Sequence, residues 1–206
     1  HAHGPGSLRH TFNLQHTLIS GQAFRWHKEG EEFVGVISGN VLRLEQKGER
    51  VLYRSFPGEI APSALRRYLG LEGDYAEALY SFPGDPLLRR AMRKFRGMRV
   101  LRQEPWETLI SFIISSNNNI TRIRRSVESL CRTFGREIEG APGFFSFPPP
   151  EALAHASLAV LRDRCNLGYR DAYARETARQ LAQNPKLLSQ IASLPYPQAR
   201  KEIMRL

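Results

Sequence analysis

The chain has 206 residues, 41% of them apolar, and its 30 basic and 20 acidic side chains give a formal net charge of +10. This composition is typical of one or two globular domains. The longest apolar run, residues 109–114, contains a serine and is far shorter than the roughly 20 residues that span a bilayer, which excludes a membrane helix. Two cysteines 34 residues apart exclude a disulfide framework and predict an intracellular protein.

Three segments organise the chain. Residues 1–7 (HAHGPGS) have no apolar signal-peptide core and no helical or strand period, which predicts the remnant of an expression tag. Residues 8–98 are predicted to form a sheet domain with flanking helices, and residues 99–206 a helical domain. The predicted fold class is therefore α+β.

Alternating apolar residues first predict strands and then give way to helices. Residues 33–54 alternate around turns at residues 38–40 and 47–48, which predicts a three-stranded antiparallel meander. Ser63 and Asp74 then precede apolar runs of helical period, which predicts that they cap short helices.

No strand pattern returns after about Pro86. Residues 105–116 open with proline and are apolar almost all round, which predicts a buried helix. The next helix is predicted to begin at Asn118 or Asn119, to end at Gly135, and to leave its arginines off the apolar stripe. Further helices are predicted near residues 157–165, 171–183, with Asp171 as the cap, and 197–206.

The positive charge is concentrated in the middle of the chain. Residues 89–136 hold 12 basic and three acidic side chains, and arginines outnumber lysines 25 to 5 in the whole chain. The planar guanidinium suits phosphates and guanine edges, so this bias favours a nucleic-acid partner. A solvated basic surface without a partner remains the alternative.

The sequence lacks the motifs of several common catalytic and metal-binding sites. The sequence contains no P-loop, no HExxH, no GxSxG, no Cys/His cluster with zinc spacing and no acidic pair for two magnesium ions. If this protein acts on nucleic acid, we therefore expect no metal-assisted hydrolysis.

Two polar segments are candidates for contact with nucleic acid. In residues 115–122 (SSNNNITR) three asparagines precede a basic helix, where amides and an arginine could reach phosphates and base edges. In residues 167–170 (LGYR) a glycine turn places an aromatic residue beside an arginine, a pair suited to wedging into a base stack. A capping connector and a packed surface tyrosine remain the alternatives.

These segments, together with residues 20–26 (SGQAFRW), resemble the 8-oxoguanine DNA glycosylases of the helix-hairpin-helix superfamily. The resemblance runs from about Phe12 to Leu206. It implies an antiparallel-sheet domain followed by an all-helical glycosylase domain, and a base-excision repair enzyme of the nucleus or the bacterial nucleoid. It also implies a monomer that needs no cofactor or membrane and that binds double-stranded DNA containing 8-oxoguanine opposite cytosine.

The resemblance also implies residue roles. Asn117 would fill the gap that the extruded base leaves, and Arg122 and Arg170 would hydrogen-bond the estranged cytosine. Tyr169 would wedge into the duplex, and the carbonyl of Gly21 would accept the N7 hydrogen that guanine lacks.

The family's nucleophilic lysine and helper aspartate lie in and beyond a hairpin that would begin near Leu206. Lys201 does not match that position, so we expect no catalytic residue in these 206 residues and an inactive chain, although the family forms a lysine Schiff base and cleaves the strand. The alternatives are an alkylated-purine glycosylase, a non-catalytic DNA-binding module and a scaffold protein.

Overall fold

A computed structural model describes residues 12–73, 75 and 84–206. The predicted tag remnant and the predicted cap Asp74 lie outside the described residues. The chain divides into two compact units, residues 1–103 and 104–206, and each is described by itself.

The first unit contains a four-stranded antiparallel sheet in the order β1-β2-β3-β4. The predicted three-stranded meander is confirmed as β2 to β4, and the sheet has a fourth strand before it. The additional strand, β1, has the sequence His-Lys-Glu with all three side chains exposed, so it shows no apolar alternation from which a strand could be predicted. The strands are β1 His27–Glu29, β2 Glu32–Ile37, β3 Asn40–Lys47 and β4 Arg50–Phe56.

One face of this sheet carries the core of the first unit, centred on Trp26. The Trp26 ring is 1% exposed, and its Nε1 donates a hydrogen bond to the Tyr68 hydroxyl at 2.8 Å. It packs against Gly35 in β2, where an added Cβ would lie 2.5 Å from two ring carbons. Glycine is thus the residue that lets the indole approach the strand this closely.

We expect Gly35→Ala to lower the free energy of unfolding by about 1–3 kcal/mol, because the methyl group overlaps the Trp26 ring. Urea unfolding of the two proteins measures the loss. In a double-mutant cycle with Trp26→Leu, the smaller side chain should relieve the overlap and give a favourable coupling of about 1 kcal/mol. Additive effects would contradict this explanation.

The first unit also contains the helices α1 Leu14–Leu18, α2 Pro62–Tyr68 and α3 Pro86–Lys94. The prediction of Ser63 as a cap is wrong, because Pro62 already occupies the first turn and the N-cap, Ala61, makes no side-chain hydrogen bond. Proline has a φ suited to this position and needs no N–H partner there, so it begins the helix without a polar cap.

The second unit is helical, with α4 Pro105–Ser115, α5 Ile120–Phe134, α6 Pro150–Ala154, α7 Asp171–Gln183, α8 Leu187–Ala192 and α9 Tyr196–Ile203. A π-helical turn, Val160–Arg164, and a 3-10 turn, Gly168–Arg170, precede α7. After Pro86 the described chain contains no strand and only an isolated antiparallel bridge, Glu137–Phe145, which confirms that prediction. None of the described helices has the length and hydropathy needed to cross a bilayer.

Three details of the helical unit differ from the predictions. Helix α4 is not buried all round, because Phe112 is 75% exposed. Asp171 is the first residue of α7 rather than its cap. Helices α6 and α8 were not predicted because five or six residues are too few to show a helical period.

Candidate nucleic-acid interface

The three consecutive asparagines join α4 to α5, and each has a different role. Asn118 Nδ2 donates to the Ile114 carbonyl at 3.0 Å, near the end of α4. Asn119 Oδ1 accepts from the Arg122 N–H at 3.0 Å and so caps α5. Of the two caps that the sequence left open, the structure therefore shows Asn119.

Asn117 has neither of these roles. Its φ is +49°, in the left-handed region that asparagine tolerates better than most residues. Its side chain is exposed and makes no hydrogen bond within the described ranges. The turn thus presents a free amide to solvent at the start of a basic helix, where the partial positive charge of the helix terminus favours anions.

We expect Asn119→Ala to destabilise the chain by about 1 kcal/mol, because the Arg122 N–H at the start of α5 loses its side-chain acceptor. Asn119→Asp keeps an acceptor oxygen and should be close to wild type. Thermal unfolding of both variants measures the difference, and equal losses would contradict the capping role.

Arg170 locks this turn to the LGYR segment. Its side chain is 6% exposed, and its Nε donates to the Ser116 carbonyl at 2.8 Å. Its Nη2 donates to the same carbonyl and to that of Asn117, the latter at 3.0 Å, and its Nη1 donates to Leu167 at 3.3 Å. One guanidinium therefore satisfies three backbone carbonyls and closes the two loops on each other.

Tyr169 lies on the solvent side of the two loops that Arg170 joins. It is 56% exposed, and its ring centroid is 4.4 Å from the Arg170 guanidinium carbon, in a cation–π contact. Its hydroxyl donates to the Ser116 carbonyl at 3.4 Å. The structure thus brings together three residues that the sequence singled out, Asn117, Tyr169 and Arg170.

The sequence did not predict two groups that help to hold these loops in place. The Ser116 carbonyl accepts from both Tyr169 and Arg170, and a backbone oxygen leaves no signal in the residue type. The Asp171 side chain is 2% exposed and lies 2.8 Å from Arg162 Nη2, an ion pair that anchors the start of α7 next to Tyr169 and Arg170. Arg162 and Asp171 are nine residues apart, and two irregular helical turns separate them. Their pairing could therefore not be predicted from a local sequence pattern.

Two predicted residues remain, one in each unit. The Arg122 guanidinium, in the first turn of α5, is exposed and has no partner in the part of the chain that the structure describes. Gly21 belongs to the first unit; its φ is +87°, and within the described residues no hydrogen bond reaches its carbonyl oxygen.

The charged surface of α5 is partly neutralised. Arg132 Nε donates to Glu128 at 3.0 Å, and its guanidinium lies 5.5 Å from the Phe145 ring. Both side chains of this pair are more than half exposed, so salt screens it and a phosphate could replace the carboxylate.

The helical unit offers few candidate nucleophiles. Burial raises the pKa of the Cys165 thiol, which disfavours the reactive thiolate. Lys201 is exposed on α9. Across residues 12–73, 75 and 84–206 the structure contains no cluster of three or more His, Cys, Asp or Glu side chains that could hold a metal ion.

Comparison with known proteins identifies the class of protein to which this fold belongs. Residues 7–109, half of the chain, match the family model of the 8-oxoguanine DNA glycosylase N-terminal domain. The crystal structure of the Clostridium acetobutylicum 8-oxoguanine glycosylase/lyase with double-stranded DNA containing cytosine opposite 8-oxoguanine superposes with a TM-score of 0.86 at 27% identity, covering 95% of this chain and 68% of that one. The fold is that of a DNA glycosylase.

Two curated relatives carry the comparison further. The Arabidopsis thaliana N-glycosylase/DNA lyase OGG1 is 35% identical in an alignment of 191 positions that covers 88% of this chain and 52% of that protein. The Saccharomyces cerevisiae N-glycosylase/DNA lyase is 52% identical over 101 residues, 48% of this chain and 26% of that protein. The chain belongs to the 8-oxoguanine DNA glycosylase family. It spans about half of the Arabidopsis relative and about a quarter of the yeast relative.

Proposed function

We propose that this chain is the damage-recognition part of an 8-oxoguanine DNA glycosylase with abasic-site lyase activity, an enzyme of base-excision repair. Its partner is double-stranded DNA that carries 8-oxoguanine opposite cytosine. One observation supports this most directly: the exposed Asn117 amide and Tyr169 ring are presented side by side by two loops that Arg170 joins.

A base that is extruded for repair leaves a gap and an unpaired partner, and unstacking costs a few kcal/mol. We assign Asn117 to the gap and Tyr169 to the wedge between neighbouring base pairs, because both are exposed on the two loops that Arg170 joins. A wedge that bends the duplex offsets the cost by allowing more contacts with the protein surface.

Arg122 and Arg170 are proposed to hydrogen-bond the estranged cytosine, but their starting states differ. The Arg122 guanidinium is exposed and has no hydrogen-bond partner to give up among the described residues. Arg170 donates four hydrogen bonds to three carbonyls, and a guanidinium has five N–H groups. In the unbound protein Arg170 therefore has one N–H group left for the cytosine. To donate more than one hydrogen bond to the base, it would have to give up some of its bonds to the two loops.

Gly21 is proposed to discriminate the lesion. Its carbonyl is free of hydrogen bonds within the described residues and could accept the N7 hydrogen of 8-oxoguanine. Guanine would present an N7 lone pair to that oxygen instead, and an unmade buried hydrogen bond costs about 1–3 kcal/mol. We assign no nucleophile among these 206 residues, so binding is the property to test.

Fluorescence anisotropy with 8-oxoguanine·cytosine and guanine·cytosine duplexes at several salt concentrations tests the proposal. We expect about tenfold tighter binding to the lesion duplex, the usual effect of one correctly read base pair. Equal affinities with a steep salt dependence would indicate plain phosphate binding and contradict it.

An alkylated-purine duplex in the same assay addresses the alternative glycosylase, and preference for that duplex would favour it. Arg132→Ala serves as the matched phosphate control, since removing a surface arginine should weaken binding to every duplex alike.

A further inference from the structure

We infer that Gln22 is a positioning residue for lesion recognition, holding the Gly21 carbonyl in the direction from which it accepts the N7 hydrogen of 8-oxoguanine. The inference rests on the proposed function and adds a residue for which the sequence suggested no role.

The Gln22 amide is fully engaged by backbone groups of the first unit. Its Nε2 donates to the carbonyls of Thr17 and Arg99, each at 2.8 Å. Its Oε1 accepts from the Leu101 N–H at 2.8 Å. The side chain thus bridges the end of the α1 segment and residues 99–101, which lie 77 to 79 positions further along the chain.

The main chain of Gln22 is held as well. Its carbonyl accepts from Gln103 Nε2 at 2.6 Å. The segment it is tied to is anchored independently, because the Arg99 N–H donates to Thr17 Oγ1 at 3.1 Å and Thr17 is fully buried. Gln22 is therefore fixed through both its side chain and its backbone.

Fixing Gln22 limits the directions in which the Gly21 carbonyl can point. The carbonyl of Gly21 and the N–H of Gln22 belong to one planar peptide group, which cannot twist appreciably. Gly21 itself, at φ +87°, has the conformational freedom of glycine and no side chain to hold it. With the Cα and the side chain of Gln22 held, the peptide can turn only about the two single bonds that flank it, so Gln22 narrows the range of directions open to the Gly21 carbonyl.

Gln46 provides a matched control in the same unit. Its Nε2 donates to the Phe12 carbonyl and its Oε1 accepts from the Leu14 N–H, each at 2.7 Å. It is the same residue type in the same kind of backbone bridge, but among the described residues it forms no hydrogen bond with Gly21 or Gln22. Substituting either glutamine with methionine, which has a similar length, removes the amide and keeps most of the volume.

The test measures affinities of the 206-residue wild type, Gln22→Met and Gln46→Met for three duplexes: 8-oxoguanine·cytosine, guanine·cytosine and a tetrahydrofuran abasic analogue opposite cytosine. We expect Gln22→Met to lower the preference for 8-oxoguanine over guanine about fivefold or more, since a single hydrogen bond carries it. Affinity for the abasic duplex, which has no base to read, should change less than about twofold, and Gln46→Met should keep the wild-type preference.

Each other outcome has a definite meaning. A Gln22→Met protein that keeps the preference while its melting temperature falls would overturn the inference, because Gln22 would then only stabilise the fold. If Gln22→Met does not fold, Gln103→Met removes only the bond to the Gln22 carbonyl and should lower the preference in the same direction; no change would overturn the inference. A wild type without any preference would overturn the proposed function, and with it this inference.

Discussion

Arg170→Ala should destabilise the chain by about 2–4 kcal/mol and also remove its preference for cytosine opposite the lesion. The substitution removes four hydrogen bonds that a nearly buried guanidinium donates to the carbonyls of Ser116, Asn117 and Leu167. A hydrogen bond from a charged donor contributes about 1.5–3 kcal/mol. The total loss is smaller than four such bonds, because Ser116 keeps the Tyr169 hydroxyl as a donor and Leu167 keeps the backbone N–H of residue 170. Urea unfolding measures the first effect. Affinities for 8-oxoguanine·cytosine and 8-oxoguanine·adenine duplexes measure the second.

Arg170→Lys separates charge from geometry. Lysine keeps the positive charge but has no planar fork to serve several carbonyls at once, so we expect it to lose most of the cytosine preference as well. Arg179→Ala is the matched control: Arg179 Nε donates to a single carbonyl, that of Ala154, at 3.4 Å, and its loss should change stability by less than about 1 kcal/mol. A wild-type pairing preference in Arg170→Lys would mean that charge alone suffices.

Asn117→Gly should lower the affinity for the 8-oxoguanine·cytosine duplex about tenfold or more with little loss of stability. Glycine adopts the left-handed backbone of Asn117 without strain, so only the amide that is proposed to fill the gap disappears. Extruding a base costs a few kcal/mol. Without the Asn117 amide, the gap in the base stack lacks the contacts that are proposed to offset this cost. Anisotropy titrations and thermal unfolding measure the two quantities.

Asn166→Gly controls for the backbone effect. Asn166 is another left-handed asparagine of the helical unit, with φ +58°, and its carbonyl accepts from Ser126 Oγ at 3.1 Å. We expect wild-type DNA affinity from this variant. If both glycine variants weakened binding equally, the loss would come from backbone flexibility rather than from the Asn117 amide.

Much of the fold followed from local patterns in the sequence. Alternation and turn residues predicted strands β2 to β4, and the apolar stripe with its terminating Gly135 predicted α5, because these features depend on neighbours within a few residues. Strand β1 and helices α6 and α8 were missed for the same reason, since three to six residues do not establish a period.

By itself the sequence determined the family, the α+β class and the identities of the candidate residues, because motifs such as SSNNN and LGYR are read letter by letter. Only the tertiary structure decided what these residues do in the unbound protein. The Arg170 contacts with Ser116 and Asn117 join positions 54 and 53 residues apart, and Gln22 reaches Leu101 across 79. These partners are backbone groups, which every residue carries, so their pairing becomes visible only when folding brings distant segments together.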